Sequence, residues 1–163
     1  MAWVGRQPRV ESDEGSAITI KGAGVVLGGF SVQSASDWSG DAGILVLSED
    51  NIIRNDTARG SGNVGILLLG AGDNTITGNV VWANGREGLL VKNSSGNSIE
   101  RNQISENRIG IRLEGSHGNR ILGNSFLDNQ FESMKLQESQ RKYHPGQFSP
   151  GQRVCSGPGG LPG

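Results

Sequence analysis

With Cys155 as its only cysteine, the chain forms no internal disulfide and assembles no thiolate metal cluster. Two histidines, His117 and His144, and two methionines add no soft-ligand cluster at useful spacing. No cofactor and no metal site is therefore expected. Lys and Arg, 15 in all, nearly balance the 16 Asp and Glu. A nucleic-acid footprint or a membrane-surface field needs a basic excess that is missing here. Aromatic residues make up only 5% of the chain, and no apolar run reaches the length of a membrane span. The first fifteen residues carry Arg6, Arg9, Glu11, Asp13 and Glu14 and no signal-peptide core. The expectation is a cytoplasmic protein or one whose leader is missing from the sequence.

What the chain does have is glycine, 27 residues of it, and a repeat. Asn74, Ile76, Asn79, Val81, Asn84, Gly88, Leu89 and Val91 recur as Asn97, Ile99, Asn102, Ile104, Asn107, Gly110, Ile111 and Leu113. A further pass, Asn119, Ile121, Asn124, Phe126 and Asn129, then fades. Upstream, Asn51, Ile53, Gly65, Ile66 and Leu68 fit one coil, while Leu27, Val32, Gly43, Ile44 and Val46 fit a longer one.

The pattern N-x-I-x-x-N-x-I-x-x-N-x-x-G-I-x-L reads as three strands too short for helical turns, separated by Asn or Gly corners. Asn and Gly tolerate the left-handed backbone that such corners need. Coils stacked roughly 4.8 Å apart put each asparagine above its counterpart, where the amides form ladders and satisfy one another. The predicted fold is all-β, a single right-handed parallel β-helix of about five coils of 22–23 residues. Its inward column holds Ile53, Ile66, Leu68, Ile76, Val81, Leu89, Val91, Ile99, Ile104, Ile111, Leu113, Ile121 and Phe126. A leucine-rich repeat places its asparagine closer behind the strand, and an unbroken five-residue grid cannot generate this period. The expected organisation is a polar N-terminal segment over 1–15, the β-helix over 16–136, and a Gly/Pro-rich tail over 137–163 that is not expected to order.

Over residues 51–129 the repeated N-x-I-x-x-N-x-[IVF] and G-[IL]-x-[LV] elements resemble the NosD-type repeats of carbohydrate-binding proteins and sugar hydrolases, with the pectin-lyase-like fold. The resemblance implies a periplasmic or extracellular setting. For activity it implies a range, from copper-enzyme maturation to polysaccharide lyases and uronate epimerases. The D-P-H-D type motif of mannuronan epimerases does not occur, so no catalytic residue is carried over.

Alternation within G-I-x-L identifies two outward columns, Leu45, Leu67, Leu90, Arg112 and Leu47, Leu69, Lys92, Glu114. Lys92, Arg112 and Glu114 could anchor an acidic sugar. Spacing favours the plainer reading, in which Lys92 and Glu114 form a surface ion pair worth about 0–1 kcal/mol. Glu106 and Asp128 also fall one coil apart, but two carboxylates do not make a calcium site. Trp82 faces outward and Trp38 lies in the longest loop, where either could stack a sugar ring. Leu45, Leu47, Leu67, Leu69 and Leu90 form an outward apolar patch expected to be covered by a partner, by another copy or by other parts of the chain.

The functional expectation is a non-catalytic β-helix module that presents a surface to a polysaccharide or protein partner, with the chain read as a possible piece of a larger protein. The alternatives are part of a polysaccharide lyase, hydrolase or uronate epimerase, and a structural protein that self-associates through its leucines. No nucleic-acid partner is expected.

Overall fold

The computed structural model describes residues 7–142 and 154–156. No helix occurs among them, and every strand pair is parallel. The described residues form nineteen short strands that wind into a right-handed parallel β-helix of about six turns, with three faces. Sheet A stacks β1 (Arg9–Ser12), β4 (Ser31–Ser34), β7 (Thr57–Arg59), β10 (Val80–Trp82), β13 (Gln103–Ser105) and β16 (Ser125–Leu127). Sheet B stacks β2 (Ile18–Ile20), β5 (Ala42–Val46), β8 (Val64–Leu69), β11 (Glu87–Lys92), β14 (Ile109–Glu114), β17 (Glu132–Gln137) and β19 (Val154–Ser156). Sheet C stacks β3 (Val26–Gly28), β6 (Ile52–Arg54), β9 (Thr75–Thr77), β12 (Ser98–Glu100), β15 (His117–Leu122) and β18 (Gln140–Lys142). Strand β1 falls within the 1–15 segment, and β17 to β19 reach past residue 136.

All thirteen residues of the expected inward column are buried and belong to one core. Branched side chains suit it because successive coils present the same position, so Ile53, Ile76, Ile99 and Ile121 stack directly on sheet C. A column of this kind grows coil by coil, each turn covering the apolar floor of the one before.

Three asparagine ladders run down the corners. In the first, the Asn51 backbone N–H and its side-chain amide both donate to Oδ1 of Asn74, at 2.8 and 3.0 Å. Asn74 does the same to Asn97, and Asn97 to Asn119. The second ladder runs Asp56, Asn79, Asn102, Asn124, and the third Ser61, Asn84, Asn107, Asn129. Each amide also reaches a backbone carbonyl, as Asn102 does to Ile76 at 2.9 Å, so these buried polar groups are satisfied twice over. A fourth ladder, of serines, has no counterpart in the repeat as read from sequence. The Ala71 N–H donates to Ser94 Oγ, the Ser94 N–H to Ser116 Oγ, and the Ser116 N–H to Ser139 Oγ.

The corner backbone differs from expectation in one respect. The ladder asparagines are not themselves left-handed; the residue before each one is. Asp50, Asp73, Gly96 and Gly118 precede the first ladder, Asn55, Gly78, Arg101 and Gly123 the second, and Gly60, Ala83, Glu106 and Asp128 the third, all at φ between 52° and 75°. That residue makes the bend with its side chain pointing out, which frees the asparagine to turn inward. Glu106 and Asp128 therefore sit at bends, as outward carboxylates on successive coils.

The glycine of G-I-x-L has a separate cause. A Cβ on Gly88 would lie 2.7 Å from the Asn107 amide nitrogen and 2.9 Å from Gly110 O. The third ladder fills the space that a side chain there would need.

Candidate functional site: the outer face of sheet B

Strands β5, β8, β11, β14 and β17 pair over four or five register positions each, and their outward residues register as expected. Leu45 pairs with Leu67, Leu67 with Leu90, and Leu90 with Arg112, and the column continues to Lys135. Leu69, Lys92, Glu114 and Gln137 align beside it. The upper part of the face is apolar and largely self-covered. Leu67 is 1% and Leu90 8% exposed, packed with Ala42, Val64, Leu45 and Leu69 in a second cluster outside the barrel. Leu47, at 37%, is the only member of the leucine set left open. The loop between β4 and β5 folds against the top of this face. Its carbonyls at Trp38 and Asp41 accept hydrogen bonds from the Asn63 amide at 2.6 and 3.3 Å.

The lower part is charged. Lys92 Nζ lies 2.9 Å from Glu114 Oε1. Arg112 sits at the centre, its Nη1 3.2 Å from Glu87 Oε1 and its Nη2 3.3 Å from Glu114 Oε2, and it donates to Gln137 Oε1 at 2.8 Å. The Glu87 side chain is only 4% exposed, so Arg112 is the close counter-ion of a buried carboxylate; Arg86 is more distant, at 3.8 Å. The hydrogen bond from Lys92, then the positive charges of Lys92 and Arg112, hold the Glu114 carboxyl below its ordinary value. The sequence reading did not single out Glu87, because it occupies a register position shared with Ile109 and carries no repeat signal.

Two clefts flank Arg112. One, of about 200 Å³, lies among Leu67, Leu69, Leu90, Lys92 and Glu114. The other, of about 250 Å³, is lined by four cations, Arg86, Arg108, Arg112 and Lys135, with Glu87, Glu132, Ile109 and Phe131. Trp82 lies on a different face, sheet A, with the Arg59 guanidinium 5.8 Å from its ring centroid. It does not join the Lys92, Arg112 and Glu114 group. Trp38, 77% exposed, borders a third recess with Asp13, Glu14, Asp37 and Asp41.

The family model described as periplasmic copper-binding protein (NosD) matches residues 13–149. The chain belongs to the NosD family. A relative described as a probable ABC transporter binding protein NosD, from Stutzerimonas stutzeri, is 40% identical over an 83-residue alignment that covers 42% of this chain. That alignment spans 19% of the relative, so the chain corresponds to a small part of it. Among solved structures, the enzymatically active domain of tailspike protein 2 from bacteriophage CBA120 superposes with a TM-score of 0.60. The match covers 81% of this chain and 32% of the tailspike at 14% identity, a likeness of fold alone.

The family's description raises the question of copper. Among the described residues no three His, Cys, Asp or Glu side chains are grouped so that they could hold a metal ion. His117 is at an exposed corner and Met134 is in the core, so the described donors do not form the imidazole or sulfur set that copper favours. Cys155 and His144 lie outside the residues whose side chains are described.

Proposed function

We propose that the chain is a non-catalytic β-helix module that binds a polysaccharide along the outer face of sheet B. One observation carries this reading: two carboxylates of that face, Glu87 and Glu114, are tied to cations. Glu87 is held by Arg112, and Glu114 by Lys92 and Arg112. General acid catalysis needs a carboxyl that keeps its proton near the working pH. Glu114 is pushed the opposite way and remains an anion. A set of paired charges on a rigid ladder suits recognition of a repeating polar chain, since sugar units and coils both present their groups at regular intervals.

The test is titration calorimetry of the purified chain with neutral and anionic oligosaccharides, together with assays for new reducing ends and for unsaturated products. Saturable binding without products is the expected outcome. Turnover that disappears in Glu114→Gln overturns the non-catalytic assignment, and absence of binding to every glycan by a folded sample overturns the reading altogether.

A further inference from the structure

The cleft below Arg86 has a cause in the sequence. From the ladder residue to the inward glycine, the coil at Asn84–Gly88 uses four steps and the coil at Asn107–Gly110 only three. Residues 129–133 again use four, with Ser133 in the glycine position, since Met134 pairs with Ile111. The middle coil is thus one residue short at this corner. Its backbone shows the adjustment, because the Arg108 and Ile109 N–H groups both donate to the Arg86 carbonyl, at 2.9 and 3.2 Å. The Phe131 N–H in turn donates to the Arg108 carbonyl at 2.9 Å. Arg86, Arg108 and Phe131 therefore stack as a corner column, and the cleft lies between that column and Arg112 and Lys135 on the sheet.

Charge makes this notch distinctive. Like charges on adjacent strands destabilise a sheet, yet Arg112 and Lys135 are direct register partners, and Arg86 and Arg108 are stacked neighbours. Arg112 is occupied by Glu87 and Glu114. Arg108 and Lys135 form no ion pair among the described residues, and Glu132 is the one further carboxylate in the lining. The Arg108 guanidinium lies 5.4 Å from the Phe131 ring centroid, a cation–π contact, while Phe131 remains 57% exposed. At about 250 Å³ the notch is smaller than the roughly 300–1,000 Å³ of pockets that enclose a drug-sized ligand. Its size suits one unit of a longer chain.

We infer that this notch is a subsite for an anionic sugar unit, whose carboxylate or sulfate lies between Arg86, Arg108 and Lys135 and whose ring borders Phe131. The inference rests on the polysaccharide reading above and places one anionic unit of that ligand at the shortened corner. Arg108 and Lys135 are the informative positions, since neither has an ion-pair partner in the described structure that its removal would strand.

The experiment is calorimetry of the whole chain with oligogalacturonate, a sulfated heparin-derived oligosaccharide and a neutral maltooligosaccharide, repeated with Arg108→Ala, Lys135→Ala and, as a like-charge control on the exposed side of sheet C, Arg54→Ala. Circular dichroism confirms that each variant is folded. Binding of a charged oligosaccharide that weakens roughly tenfold or more in Arg108→Ala and Lys135→Ala, holds in Arg54→Ala and falls with added salt is the expected result. The better of the two charged ligands then names the anionic group. Charged-glycan binding unchanged by both variants, or neutral glycan binding equally well, overturns the subsite while leaving polysaccharide binding intact. No binding of any glycan by the folded chain ends both.

Discussion

At the corner that holds Asn51, Asn74, Asn97 and Asn119, four successive coils put the same amide in the same place. On the outer face of sheet B, the column Leu45, Leu67, Leu90, Arg112, Lys135 changes from apolar to cationic over the same distance. The corner must repeat because each amide is the hydrogen-bonding partner of the next and has no access to water. The face need not repeat, because solvent satisfies whatever points outward. Within one period, the repeated positions therefore build the column and the unrepeated ones are available for recognition.

The contrast breaks most sharply at the middle of a ladder. Asn102 accepts two hydrogen bonds from Asn79 and donates to Ile76 O and Asn124 Oδ1. Asn102→Leu leaves several of these groups buried and unpaired, each worth about 1–3 kcal/mol. A loss of at least about 3 kcal/mol in urea unfolding is expected, and near-neutrality would show that the ladder is only decorative.

Arg112 is the point where the face borrows the rule of the interior. Arg112→Ala strands the buried Glu87 carboxylate, an effect of about 3 kcal/mol for a broken buried pair. The double variant Glu87→Leu with Arg112→Met removes both charges and should recover most of that stability. Failure to recover would mean that the Gln137 and Glu114 contacts carry more than the pair itself. Arg112→Ala is for this reason a poor probe of ligand binding.

Asp56 tests the ladder rule from inside. It stands where the coils below have Asn79 and Asn102, and its Oδ1 accepts the Phe30 N–H at 2.8 Å. Its Oδ2, in place of an amide nitrogen, is buried without a hydrogen-bond partner. Burial raises the pKa of this carboxyl above 3.8, partly offset by the Phe30 and Gly29 N–H groups. The folded chain thus holds this proton more tightly than the unfolded one. Its stabilising contribution is complete below the unfolded value and is lost as pH rises through the folded value. Asp56→Asn supplies the missing donor and should stabilise the protein by about 1 kcal/mol at pH 7, with the gain shrinking as pH falls through the raised folded value towards 3.8. Denaturation across pH reads this directly, and a gain that grew in acid would contradict it.

The repeat made the architecture legible because three of its features are forced by stacking: the inward branched residue, the ladder amide and the cramped glycine. The outward alternation was legible too, including the approach of Lys92 to Glu114. Other features were hidden for physical reasons. The serine ladder repeats through backbone contacts that tolerate Ala71 at its start, so it leaves a weak trace. Glu87 gives no sign of burial because its register partner is an isoleucine. The Arg86, Arg108 and Phe131 column was out of reach because the short corner puts Arg108 22 residues after Arg86 and Phe131 23 after Arg108. Alignment on the asparagines therefore separates residues that the backbone brings together.

The smallest expected effect marks the solvent side of the comparison. Lys92 and Glu114 lie closer together than Arg112 and Glu87, at 2.9 against 3.2 Å, yet the Lys92 side chain is 42% exposed. Water already solvates such a pair, so Lys92→Ala should cost about 0–1 kcal/mol at pH 7 and less at high salt. Glu114 should titrate closer to its ordinary 4.5, with Arg112 still holding it down. The pair's contribution is present above that value and disappears as pH falls through the lowered folded pKa. A loss as large as that of Arg112→Ala, insensitive to salt, would mean that distance rather than burial decides which charges on this face hold the fold.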